Sequence, residues 1–221
     1  MAITIRIASS NRGKLRDFAG AAAKYGVNVE AVAVPENTPA PREDAPTFEA
    51  NAAIKAEYYS RLAKDDLVIA DDSGLCVEEL NGAPGVHSAR YAALERHASS
   101  AGHANSTDAE NNARLLRELE RVPDERRHAM FVCCIAVAKN GRLVAMFRGE
   151  VAGRILHAER GTKGFGYDPL FLIPELKKTF AELDPDEKAG HSHRGIAFAK
   201  LLRWVTQTQG ATAMSSKAAK P

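Results

Sequence analysis

Ile69-Ala70-Asp71-Asp72-Ser73-Gly74 is the stretch on which the reading of this chain turns. Val68 to Ala70 form an apolar run with the length of a buried strand segment, and the four residues that follow are turn formers. Two adjacent carboxylates are therefore expected to project from the end of a sheet strand, which is where open α/β sheets bind ligands. Acids placed there can hold a metal. Side chains alternate along a strand, so only one of the pair is expected to face the site. An ordinary polar turn uses the same residues, and the chemistry has to be argued from what surrounds them.

Upstream, Ile3, Ile5 and Ile7 alternate with polar residues as a first strand, and Ser9-Ser10-Asn11 ends it before a helix from about Gly13 to Lys24. Leu15, Phe18, Ala19 and Ala22 share one face of that helix. Val27 to Val34 alternates again, giving strand, helix and strand, the start of an α/β sheet. After a Pro-rich loop, Pro35 to Pro46, a helix over about Thr47 to Ala63 carries Phe48, Ala52, Ala56, Tyr59 and Leu62 on or near its inward stripe. Lys55 stands one heptad from both Phe48 and Leu62, on the apolar side, and an inward lysine needs a partner or a route along a neighbouring strand. Asn51, one turn earlier, can share the same opening.

Downstream, strands over Leu67 to Asp71 and Leu75 to Leu80 bracket the acid pair, and Gly82-Ala83-Pro84-Gly85 breaks the chain before a short helix with Ser88, Arg90 and Tyr91. A polar loop follows, in which the stretch from Ser99 to Ser106 suggests no role. Thr107 to Glu110 has the spacing of a capping box and opens a helix with Leu115, Leu116 and Leu119 inward. Two long strands, Ala129 to Lys139 and Arg142 to Glu150, are joined by Asn140-Gly141, a strong hairpin signal, and the second is expected to run on, bent, to Leu156. Gly161 to Asp168 is a glycine-rich loop, Leu170 to Ile173 a short strand, and Ser192 to Val205 a last helix. The pattern predicts one α/β domain over residues 1–206, two lobes sharing a sheet with a cleft between them, and a disordered low-complexity tail over 207–221.

The totals narrow the function. With 221 residues and 45% hydrophobic content the chain can bury a sizeable core. Its 30 basic and 28 acidic residues are well mixed and give a net charge of +2, without the footprint of a nucleic-acid binder. The three cysteines, Cys76, Cys133 and Cys134, suggest neither a disulfide framework nor a zinc site, and Cys133 and Cys134 read as core fillers on opposite faces of a strand. No signal pattern or membrane-length apolar stretch stands out, so a soluble cytoplasmic protein that does not engage membranes is expected.

Three further stretches carry chemistry. Ser9-Ser10-Asn11-Arg12-Gly13-Lys14, between a strand and a helix, can gather backbone N–H groups, hydroxyls and an amine around an anion, without the longer glycine loop of a Walker motif. It also serves as an ordinary helix cap. A second acid brought beside Asp72 would complete a Mg²⁺ site of hard oxygens, and Glu43, Asp44, Glu36 and Glu49 compete for that role on spacing alone. Gly164-Phe165-Gly166-Tyr167-Asp168-Pro169 sets aromatic rings between glycines, suited to stacking a planar base or to a tight turn with its rings in the core. Lys188 and Ser192-His193-Arg194 offer clustered donors.

Taken together, Ser-Ser-Asn-x-Gly-Lys, Phe-Glu-x-Asn-x-x-x-Lys-Ala, Ala-Asp-Asp-Ser-Gly-Leu, Gly-x-Pro-Gly-x-x-Ser-Ala-Arg-Tyr, Gly-Phe-Gly-Tyr-Asp-Pro and Ser-His-Arg resemble the inosine/xanthosine triphosphate pyrophosphatase family from Ile5 to about Leu202. The resemblance implies an elongated, twisted mixed sheet flanked by helices, a homodimer, and hydrolysis of ITP, dITP or XTP to the monophosphate and pyrophosphate with Mg²⁺. It implies that Ser9, Ser10, Asn11, Arg12, Gly13 and Lys14 hold the triphosphate with Lys55, and that Asp72 is both metal ligand and acceptor of the attacking water's proton. Glu43 would be the other metal acid, Ser73 would touch substrate, Phe165, Gly166, Tyr167 and Asp168 would enclose the base, and Lys188, His193 and Arg194 would read it. Two departures stand out: Arg42-Glu43-Asp44-Ala45-Pro46 where the family often has two acids and a glycine, and Ser9-Ser10-Asn11 where Thr-Gly-Asn is commoner. A metal-dependent phosphomonoesterase, releasing orthophosphate, and an RNA-binding module without turnover are the competing readings.

Overall fold

The structure, a computed structural model, describes residues 3–9, 15, 18, 22, 26–63, 65–96 and 105–218. Its frame is a mixed sheet of seven strands: β1 (Ile3–Ile7), β2 (Val27–Ala31), β3 (Val68–Val77), β4 (His128–Lys139), β5 (Arg142–Ile155), β6 (Phe171–Ile173) and β7 (Lys178–Thr179), in the order β2-β1-β3-β4-β5-β6-β7. β1 runs parallel to β2 and β3, and every later pairing is antiparallel. The expected mixed α/β architecture is present.

The central strand β4 is buried along almost its whole length because helices cover both of its faces. On one face, Cys133, Ile135 and Val137 pack with Ile5, Ile7 and Ile69 against Phe198, Leu201 and Leu202. These last three belong to α4 (His193–Ala218). On the other face, Val132, Cys134 and Ala136 meet Phe48, Ala52 and Ala56 of α1 (Phe48–Ser60). The adjacent cysteines thus fill opposite cores, as their alternation requires. A further cluster of Leu75, Val77, Phe131, Phe171 and Phe180 takes in Leu115 of α2 (Asp108–Glu118) and Leu119, the residue that caps its end. The Thr107–Glu110 capping box that opens α2 is formed in both directions.

Several elements differ from the sequence expectation. Asp71 to Gly74 is strand rather than turn: β3 is continuous, since β4 pairs with every residue from Val68 to Val77. The ladder overrides the turn preference of the four residues. Gly74 is needed there, because a Cβ would stand 2.4 Å from the Ser88 hydroxyl and 2.5 Å from the Gly85 carbonyl oxygen. α1 ends at Ser60, so Leu62 lies beyond it and is exposed. α3 (Pro185–His191) and β7 were not anticipated. The last helix runs on to Ala218 rather than stopping at Val205, through a proline-free stretch in which the good helix formers Ala and Gln recur. Most of the helix expected over residues 13–24 lies outside the described residues; Leu15, Phe18 and Ala22 are helical, and Phe18 and Ala22 are buried. Among the described residues no helix is long and apolar enough to cross a membrane.

Candidate active site

β1 and β3 pair only at Arg6 with Val68 and Ile7 with Ile69, and the Ala8 amide donates to the Ile69 carbonyl before the chains part. Beyond that point β3 keeps β4 on one side and faces a cleft on the other. The acids therefore do stand at the carboxyl end of the parallel part of the sheet, although their strand continues past it. Both Asp71 and Asp72 border a cleft of about 900 Å³. This corrects the expectation that only one would: the pair points to opposite faces of β3, and the cleft wraps round the open edge.

On the α1 side, Lys55 Nζ lies 2.6 Å from Glu43 Oε2 and 3.4 Å from Asp72 Oδ1. Asn51, one turn before Lys55, donates from Nδ2 to Asp72 Oδ2 at 3.3 Å and to the Ala45 carbonyl, while its Oδ1 accepts the Ala45 amide. α1 thus fixes both Asp72 and the loop that brings Glu43. Burial by itself would lower the pKa of Lys55, but the charges of Asp72, Asp71 and Glu43 outweigh it and hold the ammonium above the ordinary lysine value. Arg90 donates to the Glu43 carbonyl at 3.2 Å and ties the same loop from the other side. Of the competing acids, Glu43 is the one brought to Lys55 and Asp72, whereas Glu49 pairs with Arg148.

Two carboxylate oxygens converging on one cationic point are a donor set that fits a small divalent cation, which takes one or two protein carboxylates and fills its remaining positions with water or phosphate oxygens. Among the described residues no group of three or more His, Cys, Asp or Glu side chains gathers to hold a metal. A shared site, completed by ligand oxygens, is the arrangement these residues suit.

On the α4 side, Asp71 accepts from the Ser73 hydroxyl at 2.8 Å and lies 3.9 Å from Arg194 Nε. Arg194 sits over the Phe165 ring, 4.9 Å from its centroid, and Lys188 approaches the same ring at 5.0 Å. Asp168 Oδ2 accepts both the Lys188 ammonium at 2.5 Å and the Phe165 amide at 2.9 Å, so the aromatic loop is closed on itself by its own carboxylate. Gly164 at φ +79° permits that closure, since a Cβ would stand 2.1 Å from Asp168 Oδ2. The His193 ring stacks on Phe131, 4.7 Å between centroids and nearly parallel, with only 1% of the residue exposed.

The structure brings Ser9, Glu43, Lys55, Asp72, Ser73, Phe165, Gly166, Tyr167, Asp168, His193 and Arg194 to one cleft. Lys188 stands behind Asp168 rather than on the wall, 8% exposed. Ser10, Asn11, Arg12, Gly13 and Lys14 lie outside the described residues. Sequence reasoning gave no role to Arg90, Asp108 or Asn111, which also line the cleft. Arg90 was visible within a quoted motif, and Asp108 and Asn111 lay on a helix already identified by its cap.

Comparison with known proteins finds relatives over most of the chain. The Ham1 family profile matches residues 5–204. The chain is 49% identical over 197 residues to a dITP/XTP pyrophosphatase of Geobacillus kaustophilus, covering 89% of this chain and 91% of the relative. It is 46% identical over 202 residues to a dITP/XTP pyrophosphatase of Acidobacterium capsulatum, covering 91% and 98%. Among solved structures, the Ham1 protein of Staphylococcus aureus superposes with a TM-score of 0.77 at 37% identity, covering 93% of this chain and 99% of that one. A HAM1 protein from Coxiella burnetii gives 0.76 at 36% identity, with the same coverage.

Proposed function

This chain belongs to the Ham1 family, and on that premise we propose that it hydrolyses non-canonical purine nucleoside triphosphates, ITP, dITP and XTP, to the monophosphate and pyrophosphate. The observation that carries the reading is the single cleft joining an acid and amine cluster, Glu43, Lys55 and Asp72, to an aromatic and basic pocket formed by Phe165, Tyr167, His193 and Arg194. The first suits a triphosphate with its counterion and the second a planar base carrying acceptor oxygens. The relatives named as dITP/XTP pyrophosphatases support the substrate class.

In this proposal Glu43 and Asp72 hold Mg²⁺, which when bound supplies positive charge against the phosphate oxygens and makes a neighbouring water more acidic. Asp72 accepts the proton of the water that attacks the α-phosphorus in line. Asn51 keeps the Asp72 carboxylate aimed, through its 3.3 Å hydrogen bond. Lys55 remains charged and offsets the negative charge that gathers on the departing pyrophosphate. Ser9 to Lys14 cradle the triphosphate and Ser73 touches it.

Phe165 stacks on the base, held within the loop that Asp168 and Lys188 close, and donors on His193 and Arg194 meet the oxygen at purine position 6. Adenine presents an amino group there. A donor facing a donor stays unpaired, and mismatches of this kind separate substrates by ~10⁴-fold or more. Guanine shares the 6-oxygen and needs a separate exclusion. A homodimer in the cytoplasm completes the proposal.

The experiment is to incubate the protein with ITP, XTP, dITP, GTP and ATP, with and without Mg²⁺, and to identify the products by chromatography. Monophosphate and pyrophosphate from the first three, only with the cation, are expected. Orthophosphate as the product would favour a phosphomonoesterase, and comparable kcat/KM for ATP and ITP would refute the selectivity.

A further inference from the structure

The first two turns of α2 hold the loop that the proposed function assigns to the base. The Gly166 amide donates to Asp108 Oδ2 at 2.7 Å, and Asn112, one turn further along α2, donates from Nδ2 to the Gly166 carbonyl at 3.2 Å. Both polar groups of one residue are therefore gripped by one helix. Gly166 has φ +63°, a conformation glycine adopts freely, so what fixes this residue is the pair of hydrogen bonds rather than its own backbone preference. It lies between the Phe165 ring, under Arg194 and Lys188, and Tyr167, whose hydroxyl donates to the Ser88 carbonyl at 2.8 Å.

The helix is itself anchored where it grips. Thr107 Oγ1 accepts the Glu110 amide at 3.2 Å and Glu110 Oε2 accepts the Thr107 amide at 2.8 Å. Asn111 accepts the Ala92 amide and donates to the Ala89 carbonyl, which fixes the segment that holds Tyr167. Asn112, 4% exposed, also donates to Glu159 Oε1 at 2.8 Å. The side chains of adjacent asparagines thus brace both walls of the aromatic end of the cleft.

We propose that Asp108 and Asn112 are positioning residues for base recognition: by clamping the Gly166 peptide they set the distance between the Phe165 ring and the donors of α4, and so the selectivity among purines. The inference rests on the pyrophosphatase reading and deepens it. Neither side chain needs to touch the base. A loop that drifts would still admit substrate, but the oxygen at position 6 would no longer be met in register.

The test compares Asp108→Ala, Asp108→Asn and Asn112→Ala with the unaltered protein, using dITP, dATP and dGTP. For Asp108→Ala, KM for dITP is expected to rise about tenfold with kcat within about twofold, the worth of one charge-assisted hydrogen bond. The preference for dITP over dATP is expected to fall by a similar factor. Asp108→Asn keeps an acceptor oxygen on the same stem and is expected to restore most of the loss. Asn112→Ala is expected to act in the same direction, provided its Tm shows a folded protein. Hydrogen exchange needs no substrate: the Gly166 amide is expected to exchange at least about tenfold faster in Asp108→Ala. Unaltered exchange at Gly166, or unaltered kcat/KM and selectivity in folded Asp108→Ala, overturns the inference alone. An unaltered protein that fails to release pyrophosphate from dITP overturns the functional reading, and the inference with it.

Discussion

The Lys55 ammonium lies 2.6 Å from the Glu43 carboxylate, and the contact joins a helix to a loop across the mouth of the cleft. Asp72 completes the cluster at 3.4 Å. Three charges are thereby held ready by elements that already pack for other reasons: α1 through Phe48, Ala52 and Ala56, and β3 through its ladder with β4. The arrangement is preorganised, so electrostatic work is done in folding rather than during reaction.

Replacing Asp72 tests this division of labour. Asp72→Asn keeps the size of the side chain and an oxygen for Asn51, and Lys55 retains Glu43. The fold is expected to survive with a Tm within a few degrees, while kcat for ITP falls by about 10²–10⁴, the range a general base supplies. Turnover and thermal melting measured on one preparation separate the two effects. Near-normal kcat with Mg²⁺ would remove Asp72 from the mechanism.

The raised pKa of Lys55 links the same cluster to stability at high pH. Burial pulls it down, Asp72, Asp71 and Glu43 push it further up, and the folded value ends above 10.5. A cation whose folded pKa exceeds its unfolded one stabilises fully below the unfolded value and loses that contribution as pH rises through the folded value. The stability gap between the unaltered protein and Lys55→Gln is therefore expected to stay level from about pH 7 to about pH 10 and then close. Urea midpoints across that range measure it. A gap that closes below about pH 9 contradicts the assignment of the charges.

Arg127 makes the strongest stability prediction. It is 1% exposed, and its guanidinium donates to the carbonyls of Ile155, Leu119, Val122 and Leu156, at 2.7, 2.6, 3.3 and 2.9 Å. Burial lowers its pKa, against the pull of Asp124, but an arginine has charge to spare. Arg127→Met leaves those carbonyls short of donors and is expected to cost about 3 kcal/mol or more by urea unfolding with an unchanged slope. A loss below about 1 kcal/mol would show that water replaces the guanidinium readily.

Arg127 also shows where sequence reasoning stops. Nothing in the sequence sets Arg127 apart from Arg126, yet Arg126 is exposed and pairs with Glu79 while its neighbour is a buried staple between the end of α2 and β5. Elements set by local periodicity, such as the Asn140-Gly141 hairpin, the Thr107 cap and the inward stripe of α1, were legible because each is decided within a few residues. Asp71 to Gly74 read as a turn in isolation because the partner that makes them strand, Val132 to Ile135, lies far along the chain. The acid beside Asp72 stays open among four candidates on spacing for the same reason: Asn51, Lys55 and Arg90, reaching in from separate elements, hold the Glu43 loop in place. α3 could have been found from Asp184-Pro185 and Glu187, a capping box with proline in the first turn.

Two glycines on either side of the α4 start give opposite expectations from one rule. Gly149 lies on β5 where a Cβ would stand 2.1 Å from the His193 carbonyl oxygen and 2.6 Å from the Ala197 amide, so the helix can approach only because that carbon is missing. Both obstructing atoms are backbone and cannot turn aside. Gly149→Ala is therefore expected to destabilise by about 1–3 kcal/mol, and to raise KM for ITP because His193 and Arg194 ride on the displaced end. Gly190 sits inside α3 with nothing within 4 Å of an added Cβ. Gly190→Ala is expected to stabilise by about 0.5–1 kcal/mol through lost unfolded-state freedom, with KM unaltered. Paired melting curves and ITP kinetics decide the matter: a Gly149→Ala protein as stable as the parent would mean that β5 and α4 are not held together at this crossing.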